Sequence, residues 1–275
     1  MPQGLNLRRT LLSFFISLLT THSLFAAVLA GNDGPEDSNT TFITSNKLTL
    51  LNRLQPAFTF TAGESTSYLG QSQSFMPLDL CHYNYQPQGS KTNMLWGGFL
   101  GSDVRPSSSW GLIAGLGYYQ PTSLSTKGIL TQGADPTSDN AYSYRYQTQN
   151  QQVLAEGKFY WVAQERIKPF VMLGIGAAFS KTSHYQTNVP PFLECTPAFS
   201  NHTQTSFTYA FGPGVDLSLT KSFRVGVGYR FTDLGSINTG SAQLDAIPIS
   251  STLKQSHVYA NQILAQFTFT PWTRD

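Results

Sequence analysis

The stretch SFTYAFGPGVDLSLTKSFRVGVGYRFT, Ser206 to Thr232, alternates with a period of two. Its odd positions Phe207, Tyr209, Phe211, Pro213, Val215, Leu217 and Leu219 are apolar, and beyond Thr220-Lys221 so are Phe223, Val225, Val227, Tyr229 and Phe231. The even positions are small or polar, among them Thr208, Gly212, Asp216, Arg224, Gly228 and Arg230. Successive side chains of a strand point to opposite faces, so the stretch predicts two strands with one apolar face each. A hairpin keeps those faces together only if odd pairs with odd, which requires an odd-length loop around Lys221. Each arm is longer than most strands of soluble proteins. The length suits the ~9–11 residues that cross a bilayer at a tilt.

The alternation recurs on both sides of this hairpin. Pro56, Phe58, Phe60 and Ala62 mark a first strand, and Met94 to Ser102 a second whose phase stays open because both faces are apolar. Trp110, Leu112, Ala114, Leu116 and Tyr118 line a third. A fourth runs through Gln147–Val162, with Val153, Ala155, Gly157, Phe159 and Trp161 on its apolar face. Pro169, Val171, Leu173, Ile175, Ala177 and Phe179 give a fifth, and Tyr259 to Thr270 the eighth. Connections are long after strands one, three, five and seven, and short near Arg105, Glu165 and Lys221. Outer-membrane barrels have long extracellular loops and short periplasmic turns. The fold class expected is all-β, an eight-stranded antiparallel up-and-down transmembrane β-barrel.

A secreted lipocalin-type barrel has the same strand number with its polar face outside. Here the non-aromatic face offers Gly, Ala, Ser and Thr with few charges, a poor exterior in water and a good filling for a narrow lumen. Charged residues are 12% of the chain and the net charge is +2. The first figure is low for a water-soluble surface, and the second leaves no basic tract for nucleic acid.

The chain opens with Arg8-Arg9, an apolar run from Leu11 to Leu19, and the small residues Ala26, Ala27 and Ala30. This pattern predicts a cleaved secretory signal peptide over 1–30. A polar N-terminal segment over 31–50 and the barrel over 51–275 complete the expected domain organisation.

On the inferred inner face stand Glu156, Lys158, Asp216, Arg224, Arg230, Gln262 and Gln266. Buried charges need partners, so these predict a structural ion-pair network that fills the lumen, a selectivity lining being the alternative. Asp216 and Arg224, opposite or diagonal across the hairpin, are expected to attract one another. Repeated Gly-x-Gly, as at Gly212/Gly214 and Gly226/Gly228, sits on strands and completes no phosphate-binding fingerprint. Glycine at such positions lets a curved wall bend and makes room for larger lumen residues. His184, His202 and His257 lie near loops, but no Gly-x-Ser-x-Gly or His-x-Glu motif is present. Cys81, His82, Cys195 and His202 match no compact zinc spacing. No catalytic residue, metal or cofactor is predicted. Cys81 and Cys195, in the first and third long loops, are expected to form a disulfide in the oxidising export route, with two free thiols as the alternative.

With its signal peptide, its eight amphipathic strands and a last strand reading Ile263-Leu264-Ala265-Gln266-Phe267-Thr268-Phe269, the chain resembles the small outer-membrane β-barrel superfamily. Its members include the OmpA barrel, OmpX, OmpW and opacity-type surface proteins. The resemblance implies that the aromatic pair Phe267/Phe269 carries the assembly signal read by the barrel-insertion machinery. Leu264 stands where Gly is common, and Pro271-Trp272 follows where a terminal Phe is typical. The expected protein is a monomer in the outer membrane of a Gram-negative-type envelope, held in lipid and lipopolysaccharide. Its expected role is non-enzymatic, structural or surface-interactive, with host or surface ligands met through the long loops. An OmpW-type channel for small or apolar solutes is the alternative, and a lipid-modifying hydrolase the third reading.

Overall fold

The computed structural model describes residues 54–76, 82–133, 141–164, 166–189, 196–244 and 247–271. The expected signal peptide, the polar segment over 31–50, Cys81 and Cys195 lie outside the described residues, so the expected disulfide does too.

Among the described residues no helix occurs, and eight strands close a ring. They are β1 (Leu54–Tyr68), β2 (Ser90–Val104), β3 (Trp110–Pro121), β4 (Ala141–Trp161), β5 (Ile167–Asn188), β6 (His202–Ser218), β7 (Phe223–Asp233) and β8 (Tyr259–Phe269). Each pairs antiparallel with its sequence neighbours, and β1 pairs with β8 to complete the circle. Ser218 faces Arg224 and Leu217 faces Val225 across the β6–β7 ladder, so the turn is centred on Lys221, the odd loop that the sequence requires.

The apolar faces point outward. Leu173, Phe207, Val227 and Ile263 are each more than 60% exposed, among a band of exposed aromatic and aliphatic side chains on all eight strands. Such a continuous band far exceeds the apolar patches that soluble monomers show in water. It is a lipid-contacting belt, so the barrel is transmembrane. Phase is settled even in β2, where Met94 and Trp96 face lipid while Leu95, Gly97 and Asp103 face the lumen.

Several strands outrun the membrane. β4 begins at Ala141 and β5 continues to Asn188, and a strand over Leu124–Gln132 pairs with β4 where the sequence suggests a loop. Tyr83–Pro87 and Gln73–Phe75 add two further strands to that edge. Ala198–Phe199, Ala242–Leu244 and Ile247–Ile249 form a small separate sheet. The long connections thus fold into a cap, and the short turns at 105–109 and 219–222 remain bare. A tag inserted at Gly89, in the cap, should be labelled on intact cells, and one at Lys221 only after permeabilisation. The reverse labelling would invert the topology.

Candidate functional site

Three polar hubs fill the lumen, each joining strands that are not neighbours. Nearest the periplasmic turns, buried Asp103 of β2 accepts from Tyr160 Oη at 2.7 Å and from Arg224 Nη2 at 2.8 Å. Arg105 Nη2 stands 3.5 Å from the same carboxylate. The second hub is Asp216 with Lys158 Nζ at 3.3 Å; that ammonium also donates to Gln266 Oε1 at 2.5 Å and lies 4.0 Å above the Phe170 ring. In the third, Tyr119 Oη donates to Glu156 Oε2 at 2.8 Å, and Arg230 Nη1 lies 3.6 Å from Glu156 Oε1. The Arg230 guanidinium rests 3.8 Å from the Tyr119 ring centroid, and its Nε donates to Gln262 Oε1 at 2.5 Å.

All seven polar residues placed on the inner face by periodicity therefore meet in these hubs, with one re-pairing. Asp216 and Arg224 are diagonal across the hairpin, but their ion pairs run to Lys158 and Asp103. The reason is curvature: inward side chains from far walls converge in a narrow lumen, so long cations reach across it. Asp103, Arg105, Tyr119, Tyr160 and the Phe170 ring are the participants that sequence reasoning missed. A signal was present, because the inner set holds three cations, Lys158, Arg224 and Arg230, against only two carboxylates, Glu156 and Asp216.

Apolar layers fill the space around the hubs. Leu95, Tyr119, Leu154, Ala210 and Leu264 pack together, as do Ala57, Ile113, Tyr160, Phe170 and Met172. Leu264, where the resembling family often has Gly, is 1% exposed and part of this filling. Inner-face glycines seat the rings. A Cβ at Gly214 would run into the Phe170 ring, and one at Gly111 into Tyr160. The space left among Thr59, Phe99, Tyr119, Glu156 and Met172 is about 20 Å³, about what one water occupies.

Above the strand ends the cap has its own core. Tyr83, Tyr85, Tyr144, Tyr146, Phe199, Leu244 and Ile249 are buried together, with Phe75 and Tyr185 packed against them. Tyr85 stacks on Phe75 at 5.3 Å between centroids, meets Tyr144 edge-on at 5.1 Å, and accepts from Tyr185 Oη at 3.3 Å. Residues from all four long connections enter this core. A second cluster of Leu69, Leu234, Ile237, Val258 and Ala260 closes over the strand ends.

Burial raises the phenol of Tyr85 well above the usual tyrosine range, with Tyr185 adding to the effect, and burial raises Tyr144 and Tyr185 as well. A raised value means that the neutral phenol is favoured in the folded cap. The cap is therefore at full stability below about pH 10, where unfolded tyrosine ionises, and weakens as pH rises through the folded values. Protease should cut the cap, but not the barrel strands, above about pH 10 to 11. Cap tyrosines ionising together with exposed ones, read by absorbance, would contradict this.

At the extracellular rim His257 Nδ1 lies 2.9 Å from Asp233 Oδ2, and the imidazole stacks on Tyr259. A carboxylate that orients a histidine is one part of a hydrolytic site. Among the described residues, no serine hydroxyl bonds to that ring.

A family model for the outer membrane protein beta-barrel domain matches residues 57–251. Comparison with curated proteins finds no match. Solved structures similar to the chain include OprG from Pseudomonas aeruginosa, at 13% identity and a TM-score of 0.45, covering 79% of this chain and 98% of that one. The attachment invasion locus protein Ail of Yersinia pestis matches at 11% and 0.32, covering 78% and 99%. The outer membrane protease OmpT from Escherichia coli matches at 9% and 0.40, covering 78% and 96%. Likenesses this distant carry nothing about role, and one fold hosts many functions. The family match, by contrast, runs from the first strand into the last long connection, and by it the chain belongs to the outer membrane protein beta-barrel domain family, a family of the outer membrane.

Proposed function

We propose that this protein is a sealed, non-enzymatic outer-membrane barrel that works through its extracellular cap as a surface-interaction module. The observation that carries the reading is the division of labour along the barrel axis. The lumen is closed by interlocking polar hubs and apolar layers, whereas the four long connections bury aromatic or aliphatic side chains in a folded cap. A cap held by buried rings presents a fixed surface, and a preorganised surface loses little entropy on binding. The polar network is structural in this reading, Phe267 and Phe269 serve assembly, and a cleaved leader over 1–30 directs export.

One observation favours the channel alternative. The β6–β7 ladder passes from Phe211↔Phe231 to Gly214↔Gly228 and skips the pairs between them, where Pro213 has no N–H to donate. The two backbones stay in contact at these positions, since a Cβ at Gly212 would run into the Tyr229 carbonyl, and buried Arg230 and Tyr119 stand behind them, so the unpaired stretch is not an open path. The test uses the refolded protein and a variant with 237–255 replaced by a short turn. Both are screened against arrays of extracellular-matrix proteins, and in liposomes for solute flux. The reading expects binding by the parent alone and flux from neither. Flux through the parent, or binding kept after the cap is trimmed, would contradict it.

A further inference from the structure

On the outer wall of the cap, β5 changes phase. Between the pairs Arg145↔Gln186 and Gln147↔Ser183, β4 contributes one residue and β5 two, a bulge at His184-Tyr185. Up to Lys181 the odd residues of β5 face outward; beyond the bulge His184, Gln186 and Asn188 do, and Tyr185 turns into the cap core. His184 takes a φ of 55°, among the described residues the one non-glycine in the left-handed region. Such a conformation is strained for a residue with a Cβ, and bulges commonly re-aim a side chain. Here the side chain re-aimed is the imidazole, into a pocket of about 170 Å³ lined by Ser125, Arg145, Tyr146, Gln147, His184 and Gln186.

Among the described residues the pocket lining holds the Arg145 guanidinium and no acid. Lys127 stands directly opposite Arg145 in the ladder, both exposed on the same face. Like charges in directly opposed positions repel, and among the described residues neither has a carboxylate partner. The guanidinium is nonetheless held in place: Gln186 Oε1 accepts from Arg145 Nε at 2.8 Å and from Nη2 at 2.5 Å. His184 Nδ1 meets Ser183 Oγ at 3.0 Å, and the same pocket is lined by Ser125 and Gln147. A fixed guanidinium, a facing ammonium and neutral donors are the recognition set for a phosphate group.

Height above the membrane selects the bearer of that phosphate. Phe179, the last lipid-facing ring on β5, pairs with Gln151, and Arg145 lies six residues further along β4. Six residues span about 20 Å of strand, or about 15 Å along the membrane normal at the usual tilt. Headgroups reach only about 5–8 Å beyond the hydrocarbon. The pocket thus clears the lipid phosphates and stands in the saccharide layer of the outer leaflet.

We infer that this pocket binds a phosphorylated core sugar of the lipopolysaccharide surrounding the barrel. This names a ligand for the cap and rests on the surface-interaction reading. A conducting lumen would sink that reading and leave binding here unchanged, so the two fail separately. The test measures binding of deacylated, fluorescently labelled core oligosaccharide to the refolded full chain. Removal of the acyl chains excludes partition through the lipid belt. The phosphorylated oligosaccharide should bind, and its dephosphorylated form at least tenfold more weakly. K127Q/R145Q should show the same tenfold loss and a shallower dependence on salt, with the heat-modifiable gel shift of a folded barrel retained. H184G, which relieves the strained backbone, should weaken binding without lowering stability. Equal binding of the two oligosaccharides, full binding by K127Q/R145Q, or no binding by the parent would overturn the proposal. Competition by inorganic phosphate as effective as by the oligosaccharide would overturn the sugar assignment.

Discussion

Asp103→Ala should lower the barrel's unfolding free energy by about 3–5 kcal/mol, because it leaves a buried cation without its partner. The carboxylate is fully buried and receives Tyr160 at 2.7 Å and Arg224 at 2.8 Å. Removing it strands a guanidinium that is itself 2% exposed. Arg224→Ala should be comparably costly, and the double variant should fall short of the sum by roughly 0.5–3 kcal/mol, the range for residues in one ion-pair network. Urea unfolding of the four proteins in detergent micelles closes the cycle. The Lys158/Asp216 pair should couple in the same sense, and Asp216/Arg224, which merely share a face, less strongly. Strictly additive losses for Asp103 and Arg224 would show that the hub is not a stabilising unit.

Tyr119→Ala together with Arg230→Ala should turn a silent barrel into a conducting one. Arg230 stacks on Tyr119, and the two join Glu156 and Gln262 at the level where Leu95, Leu154 and Leu264 close the lumen. Truncating a buried aromatic leaves a cavity that packed walls only partly refill. The second truncation takes away the guanidinium that would swing into it. Glu156 then lines the opening, so the conductance should favour cations. An equally silent double variant would mean that the seal lies elsewhere, in the second apolar layer or the cap.

How much of this was legible in the sequence follows from what each stretch faces. Between Phe207 and Phe231 one face meets lipid and the other meets a lumen of small and polar residues, and the alternation is therefore plain. The same contrast fixed strand number, register around Lys221 and the inward set from Glu156 to Gln266. It faded in Met94–Ser102, where Leu95 and Phe99 fill the lumen while Met94 and Trp96 face lipid, so both faces are apolar. Asp103 was lost with that phase. The cap was illegible for the opposite reason. Beyond the membrane the outer face meets water, and Tyr144, Tyr146 and Thr148 alternate with Arg145, Gln147 and Gln149. That pattern is aromatic or polar against polar, which resembles a loop until its hydrogen bonds are seen. The pocket at His184 depended on a bulge, and one extra residue in a strand leaves no mark in composition.

Planar-bilayer recording of the refolded full chain tests the sealed lumen most directly. The account predicts a flat baseline without unitary steps across physiological voltages and salt. Steady, stepwise ion current through the unmodified protein would contradict it.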